Sequence, residues 1–270
     1  MRRIWLCVGV AVIFGITESV PGSAQIVDFS EVLVHSSFLQ MTFRLEHLLD
    51  FALRIIKFLV FQSLWGIYIY RHFCAASVYF FSRKANRIQW FLKESMQLYA
   101  YAFLYMASIG ITATAWTMCR CTVVFSKESF GLLIYYMAYY PLWLFATTLL
   151  INILAIWLTS GPAFCIVAGI QLVMITSLNL WDSLLSIETE LHAVRNEMLL
   201  QWNPAAHLVL GWHDSHAIAV EQAKEIICIN IGMNTTVIYF LALSILVLAA
   251  GILVVNRKDI IASNIETGGL

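Results

Sequence analysis

The chain has 270 residues, 61% of them apolar and only 12% charged, with 16 basic residues balancing 16 acidic ones. Soluble domains carry about a quarter charged residues, so this composition, with a mean hydropathy of +0.80, excludes an ordinary soluble fold and indicates an all-α integral membrane protein. Zero net charge without an extended basic patch excludes nucleic acid and leaves the lipid bilayer as the first partner expected.

Residues 1–24 read as a cleaved secretory signal peptide. Arg2 and Arg3 precede an apolar run from Ile4 to Ile16 that is short for a bilayer span, and Gly22, Ser23 and Ala24 supply small residues before Gln25. An uncleaved anchor helix is the competing reading. Either one directs the chain to the endoplasmic reticulum or the plasma membrane.

Residues 25–57 predict a lumenal amphipathic helix. Arg44, His47, Asp50, Arg54 and Lys57 recur every three or four residues, while Leu45, Leu48, Leu49, Ala52, Ile55 and Ile56 share the other face. The apolar face suits the outer leaflet, and the basic face suits an acidic partner surface.

Five stretches then suit membrane spans: residues 58–82, 95–119, 130–158, 162–181 and 237–255. The first holds Arg71 and His72 near its middle, which makes it the weakest. Between Ser129 and Trp181 there is no charged side chain, and Gly161-Pro162 supplies the turn between two helices there. A mature N-terminus on the lumenal or extracellular side places the basic loop 83–94 and the tail 257–270 in the cytosol. Arg83, Lys84, Arg87, Lys93, Arg257 and Lys258 then obey the positive-inside rule.

That topology puts residues 182–230 outside, with seven acidic residues against Arg195 and Lys224. Leu180, Leu184, Ile187, Leu191, Val194 and Met198 form a short heptad seam, Pro204 ends it, and a second helix begins near Asp214 or Ser215. The pattern predicts an acidic helical hairpin standing on the fourth and fifth spans. His213 and His216, three residues apart, are candidate pH-sensing groups in it. A zinc set with His207 or Glu221 is the rarer alternative, because no recognised ligand spacing is present; no metal or cofactor is expected.

Within the membrane, Arg71, Gln171 and Asn179 are candidate pathway residues, because polar groups there line cavities or bond neighbouring helices. Asn152 is a further interhelical bonding group, and Ser108, Gly110, Thr112 and Thr114 allow close helix approach within or between chains. In an oxidising compartment Cys119 or Cys121 pairs with Cys228 as a candidate disulfide. Asn234-Thr235-Thr236 is a glycosylation sequon expected to stay unused so close to a span.

No nucleotide, hydrolase or desaturase motif is present. The first functional expectation is therefore a non-enzymatic interaction or scaffold component acting through the outer hairpin, with a protein partner or self-association. The alternative is an oligomeric ion channel or transporter with Arg71 on its pathway. A lumenal metal-dependent membrane enzyme, built on His207, His213, His216, Glu188 and Glu190, ranks third.

Overall fold

A computed structural model describes residues 2–20, 26–37, 48–79, 86–185, 200–226 and 231–257. The chain is mostly helical. Its helices are α1 (Arg2–Thr17), α2 (Phe29–Ser36), α3 (Leu48–Trp65), α4 (Tyr68–Tyr79), α5 (Arg87–Met118), α6 (Lys127–Leu158), α7 (Ser160–Leu185), α8 (Ile218–Ile226) and α9 (Met233–Arg257). Two short strands, β1 (Ile26–Asp28) and β2 (Thr122–Val124), pair in parallel and mark one end of the bundle, called here the ribbon end.

Four helices, α5, α6, α9 and the 160–178 part of α7, are long and apolar enough to cross a membrane. A bilayer offers backbone groups no water, so uninterrupted apolar helices are the economical way across it. Of these α6 is central: 67% of its most apolar stretch is buried, against 33%, 33% and 22% in the others. It starts on a reciprocal cap between Ser126 and Ser129 and continues unbroken through Pro141.

The turn after α6 differs from the expected one. Thr159 alone makes it, with φ 70°, a region costly for a side chain with a branched Cβ. Gly161 and Pro162 lie inside the first turn of α7, where proline's missing N–H leaves no bond unmade.

Residues 58–79 of the expected span 58–82 do not form a single helix. They divide between α3 and α4, which break at Gly66 and Ile67. Gly66 sits there because a Cβ would come 3.0 Å from Ile151 Cγ2. The break frees backbone groups, and Asn152 of α6 serves them: its Oδ1 accepts from the amides of Ile69 (2.8 Å) and Tyr70 (3.2 Å), and its Nδ2 donates to the Trp65 carbonyl (3.0 Å). Non-helical backbone at membrane depth is tolerated where protein groups satisfy it in this way.

The first helix is packed into the body. It lies along α5, and Gly15 is the point of closest approach, since a Cβ there would stand 2.6 Å from Thr112 Cβ and 2.8 Å from the Ile109 carbonyl. Cys7 is buried against Trp65, whose Nε1 lies 3.5 Å from its sulfur. Of the small residues of α5, Thr112 is thus used within the chain, as is Gly251 of α9, which packs on Phe91 and Ile153, while a Cβ at Gly110 would meet nothing within 4 Å.

The basic face, expected to meet an acidic partner surface, turns into the bundle at Arg54 and Lys57. Arg54 donates to the carbonyls of His35 and Ser37, and Lys57, fully buried, donates to the Ser36 carbonyl at 2.6 Å. Periodicity separates the two faces of a helix, but in a bilayer the polar face belongs inside.

Of the expected outer hairpin, residues 186–199 and 227–230 lie outside the described residues. Residues 203–217 form a compact cap with two short 3₁₀ turns, folded down onto α6 and α9 and buried through most of its length. The second helix starts at Ile218, later than Asp214. Replacing Asn152 with leucine leaves the freed groups at the α3–α4 break without a partner. We expect a loss of roughly 2–4 kcal/mol, read as a lower unfolding temperature of the detergent-purified protein; an unchanged transition contradicts the role given to Asn152.

Candidate functional site

Several of the buried polar groups of the bundle gather beside α6 in successive layers. Deepest from the ribbon end is the Asn152 layer at the helix break. One turn above it, Gln62 of α3 donates from Nε2 to Thr147 Oγ1 (2.9 Å) and to Gln171 Oε1 (3.2 Å), and Gln171 Nε2 donates to Gln62 Oε1 (3.1 Å). All three side chains are buried. The reciprocal amide pair locks α3, α6 and α7 together.

Next comes an ion pair. Glu18, just beyond α1, meets Lys57 of α3 at 2.8 Å, with side-chain exposures of 7% and 0%. The Lys57 ammonium also lies 5.3 Å from the Phe58 ring centroid and 5.8 Å from that of Tyr140. Tyr105 of α5 donates to the Lys57 carbonyl at 2.9 Å. A buried pair of opposite charges is retained only with close geometry and further bonds, both of which are present.

Above the pair, Tyr135, Tyr136, Tyr139 and Tyr140 of α6 cluster, with neighbouring ring centroids 4.5 to 4.7 Å apart. Tyr140 donates to the Leu208 carbonyl of the cap at 2.7 Å. The hydroxyls of Tyr135, Tyr136 and Tyr139 are buried near the hydroxyls of Thr236, Ser36 and Tyr140 respectively, but none of the three closes a hydrogen bond of ordinary geometry with a described residue.

The cap closes the column with two histidines on one hydroxyl. His207 Nδ1 lies 2.7 Å, and His213 Nε2 3.0 Å, from Thr236 Oγ1 at the start of α9. The opposite ring nitrogens face carbonyls, His207 Nε2 that of Gln201 (2.7 Å) and His213 Nδ1 that of Leu210 (3.3 Å). A carbonyl accepts only, so each of those nitrogens carries a proton. The two remaining nitrogens share a hydroxyl with one proton to give. With both rings neutral, Thr236 serves one of them; a third ring proton would complete the network but place a charge in a buried site. Burial wins. It pushes His213 down to about 3, with the nearby His207 adding to the shift and the Leu210 and Val209 carbonyls opposing it. Burial also lowers His207, against the Gln201 carbonyl.

Of the residues singled out from sequence, Gln171 lies in this column. Arg71 does not: it is exposed on α4. Asn179 is in α7, and its side chain is outside the described residues. His213 is wholly buried while the side chain of His216 is 90% exposed, 3.3 Å from Glu221. The two do not converge; His213 pairs with His207. Spacing of three residues on an expected helix pointed to His216, whereas the true link runs through Thr236, whose hydroxyl sequence reasoning assigned only to a sequon. Among the described residues no three His, Cys, Asp or Glu gather as metal ligands. Cys119 and Cys121 are free thiols, and Cys228 lies outside the described residues. Lys57, Glu18 and Gln62 were missed as site residues, although a buried charge at helical spacing from apolar neighbours was visible at Lys57.

The architecture is that of a helical, membrane-embedded protein with a polar column beside its central helix. Comparison with known protein families, characterised proteins and solved structures finds no match.

The cap should be pH-sensitive. A histidine whose proton is excluded by burial stabilises the fold above its ordinary value of 6.5, and that contribution is lost as pH falls from there toward about 3. Protection of residues 205–217 from hydrogen exchange, corrected for the intrinsic pH dependence of the exchange rate, is expected to be high at pH 7.5 and lower at pH 5, with His213→Gln flattening the dependence; equal protection at both values contradicts it.

Proposed function

We propose that the protein is a membrane transport protein that passes protons or a small ion along the polar column beside α6, from the His207–Thr236–His213 cap through the tyrosine cluster to the Glu18–Lys57 pair. The observation that carries this reading is the set of three buried tyrosine hydroxyls. Each buried donor left unmade costs about 1–3 kcal/mol, and no bulk water is at hand inside a bilayer. Water or a permeating polar species meets that need, and a column of such sites is a pathway. Two further features support it. An ionised pair inside a membrane bundle is a functional site by default, and a broken helix is a common feature of transporter substrate sites.

Arg71 stands beside this route rather than on it. In this reading α1 is also retained as a helix of the body, because Glu18 and Gly15 are built into the packing and cleavage after Ala24 would remove both. The scaffold reading keeps Trp202 and Ile218, which flank the cap and are 75% and 49% accessible, as its contact surface.

The test is proton flux into vesicles loaded with a pH-sensitive dye, driven by a potassium diffusion potential. Vesicles containing the protein are expected to acidify faster than empty ones, with Tyr136→Phe and Lys57→Met returning the rate to that of protein-free vesicles. Folded protein that carries no proton, sodium, potassium or chloride flux above the empty vesicles would sink the proposal.

A further inference from the structure

A groove of about 280 Å³ opens on the exterior of the bundle between the start of α1 and the α3–α4 break, lined by Arg3, Leu6, Ser63, Leu64, Ile67 and Arg71. Its chemistry is split. Two guanidinium groups and a hydroxyl supply donors for an anion, and two leucines and an isoleucine supply an apolar wall. Arg3 and Arg71 are both exposed, and the ion pairs among the described residues use other partners. Among the described residues no carboxylate lines the groove, so none of them neutralises its charge.

The depth of the groove identifies its surroundings. Asn152 holds the amides of Ile69 and Tyr70, six residues before α6 ends at Leu158, so Arg71 stands about 8 Å from that end of the bundle at 1.5 Å per residue. At the same end Trp5 of α1 is 74% exposed and Trp157 of α6 is 62% exposed. Exposed tryptophans favour the headgroup level of a bilayer. The two arginines therefore sit where lipid phosphates lie, and the apolar wall lies along the acyl region.

We propose that this groove is a binding site for an anionic phospholipid, its headgroup phosphate held by Arg3 and Arg71 and one acyl chain resting on Leu6, Leu64 and Ile67. Arginine suits the role because its planar fork binds phosphate oxygens two at a time. Basic pockets between membrane helices are known to take lipid headgroups in this way. The site needs α1 in place, since that helix supplies Arg3 and Leu6. It does not depend on transport.

The experiment is native mass spectrometry of the full-length protein from detergent, incubated with phosphatidylserine or phosphatidylcholine. Phosphatidylserine is expected to be retained in preference, and Arg3→Gln with Arg71→Gln to weaken its retention roughly tenfold. Arg120→Gln, which changes an arginine at the ribbon end lying 5.2 Å from the Trp116 ring, should leave it unaltered. The charge-keeping pair Arg3→Lys with Arg71→Lys should hold most of it. Equal retention by the glutamine pair, or no preference between the two lipids, would overturn the site. Displacement by millimolar inorganic phosphate would show a free-anion site instead, and a purified chain beginning at Gln25 would remove half the groove and the proposal with it.

Discussion

The contact between Glu18 and Lys57 decides how the rest of this chain is arranged. Lys57 is an ammonium group with no exposed surface, placed among aromatic rings in a bundle that offers little water. Such a charge is tolerated only when a carboxylate and further acceptors surround it. Glu18 supplies the first and the Ser36 carbonyl one of the second, so the segment after α1 and the end of α2 are both drawn to α3. The Tyr105 bond to the Lys57 carbonyl adds α5. Four pieces of chain far apart in sequence meet at one charge.

The same rule, that polar groups inside a membrane must find partners within the protein, explains the remaining layers. Asn152 answers the groups freed at the α3–α4 break, and Gln62 answers Gln171. Thr236 answers two histidines with one proton. The hydroxyls of Tyr135, Tyr136 and Tyr139, like Ser95 Oγ and Trp143 Nε1, close no hydrogen bond of ordinary geometry among the described residues, and in the proposed reading the three hydroxyls, clustered on one helix, mark the pathway. Structural polar groups can be closed off completely; a route for ions requires sites that are not.

Hydropathy made the four long helices legible, with starts that fall inside the observed ones. Helices begin with capping and charged residues that an apolar count omits: Ser126 and Lys127 before the expected start of α6 show this. The short run 4–16 was ambiguous for a different reason. A signal peptide and a packed helix are apolar alike, and the contacts that support the second reading, Gly15 against Thr112 and Glu18 against Lys57, span about forty to a hundred residues of sequence. Periodicity correctly grouped Arg54 with Lys57 but could not say which way their face turned. Gly66, a lone glycine within an apolar stretch, was the available sign of the helix break; the partner that makes the break tolerable, Asn152, comes from another helix and is set by tertiary packing. Likewise His207 and His213 share nothing local, and only the fold of the cap brings them to one hydroxyl.

Because the arrangement turns on the buried charge pair, the most direct measurement is a double-mutant cycle with Glu18→Gln and Lys57→Met, read by thermal unfolding of the purified protein in detergent. Each single change leaves its partner's charge buried without its counter-ion, and we expect each to cost roughly 3–5 kcal/mol. The double change removes both charges and should recover a large part of that loss, giving a coupling well beyond the few tenths expected of independent sites. Two small, additive effects would mean that Glu18 and Lys57 do not meet in the folded protein, and that α1 is not held by the bundle.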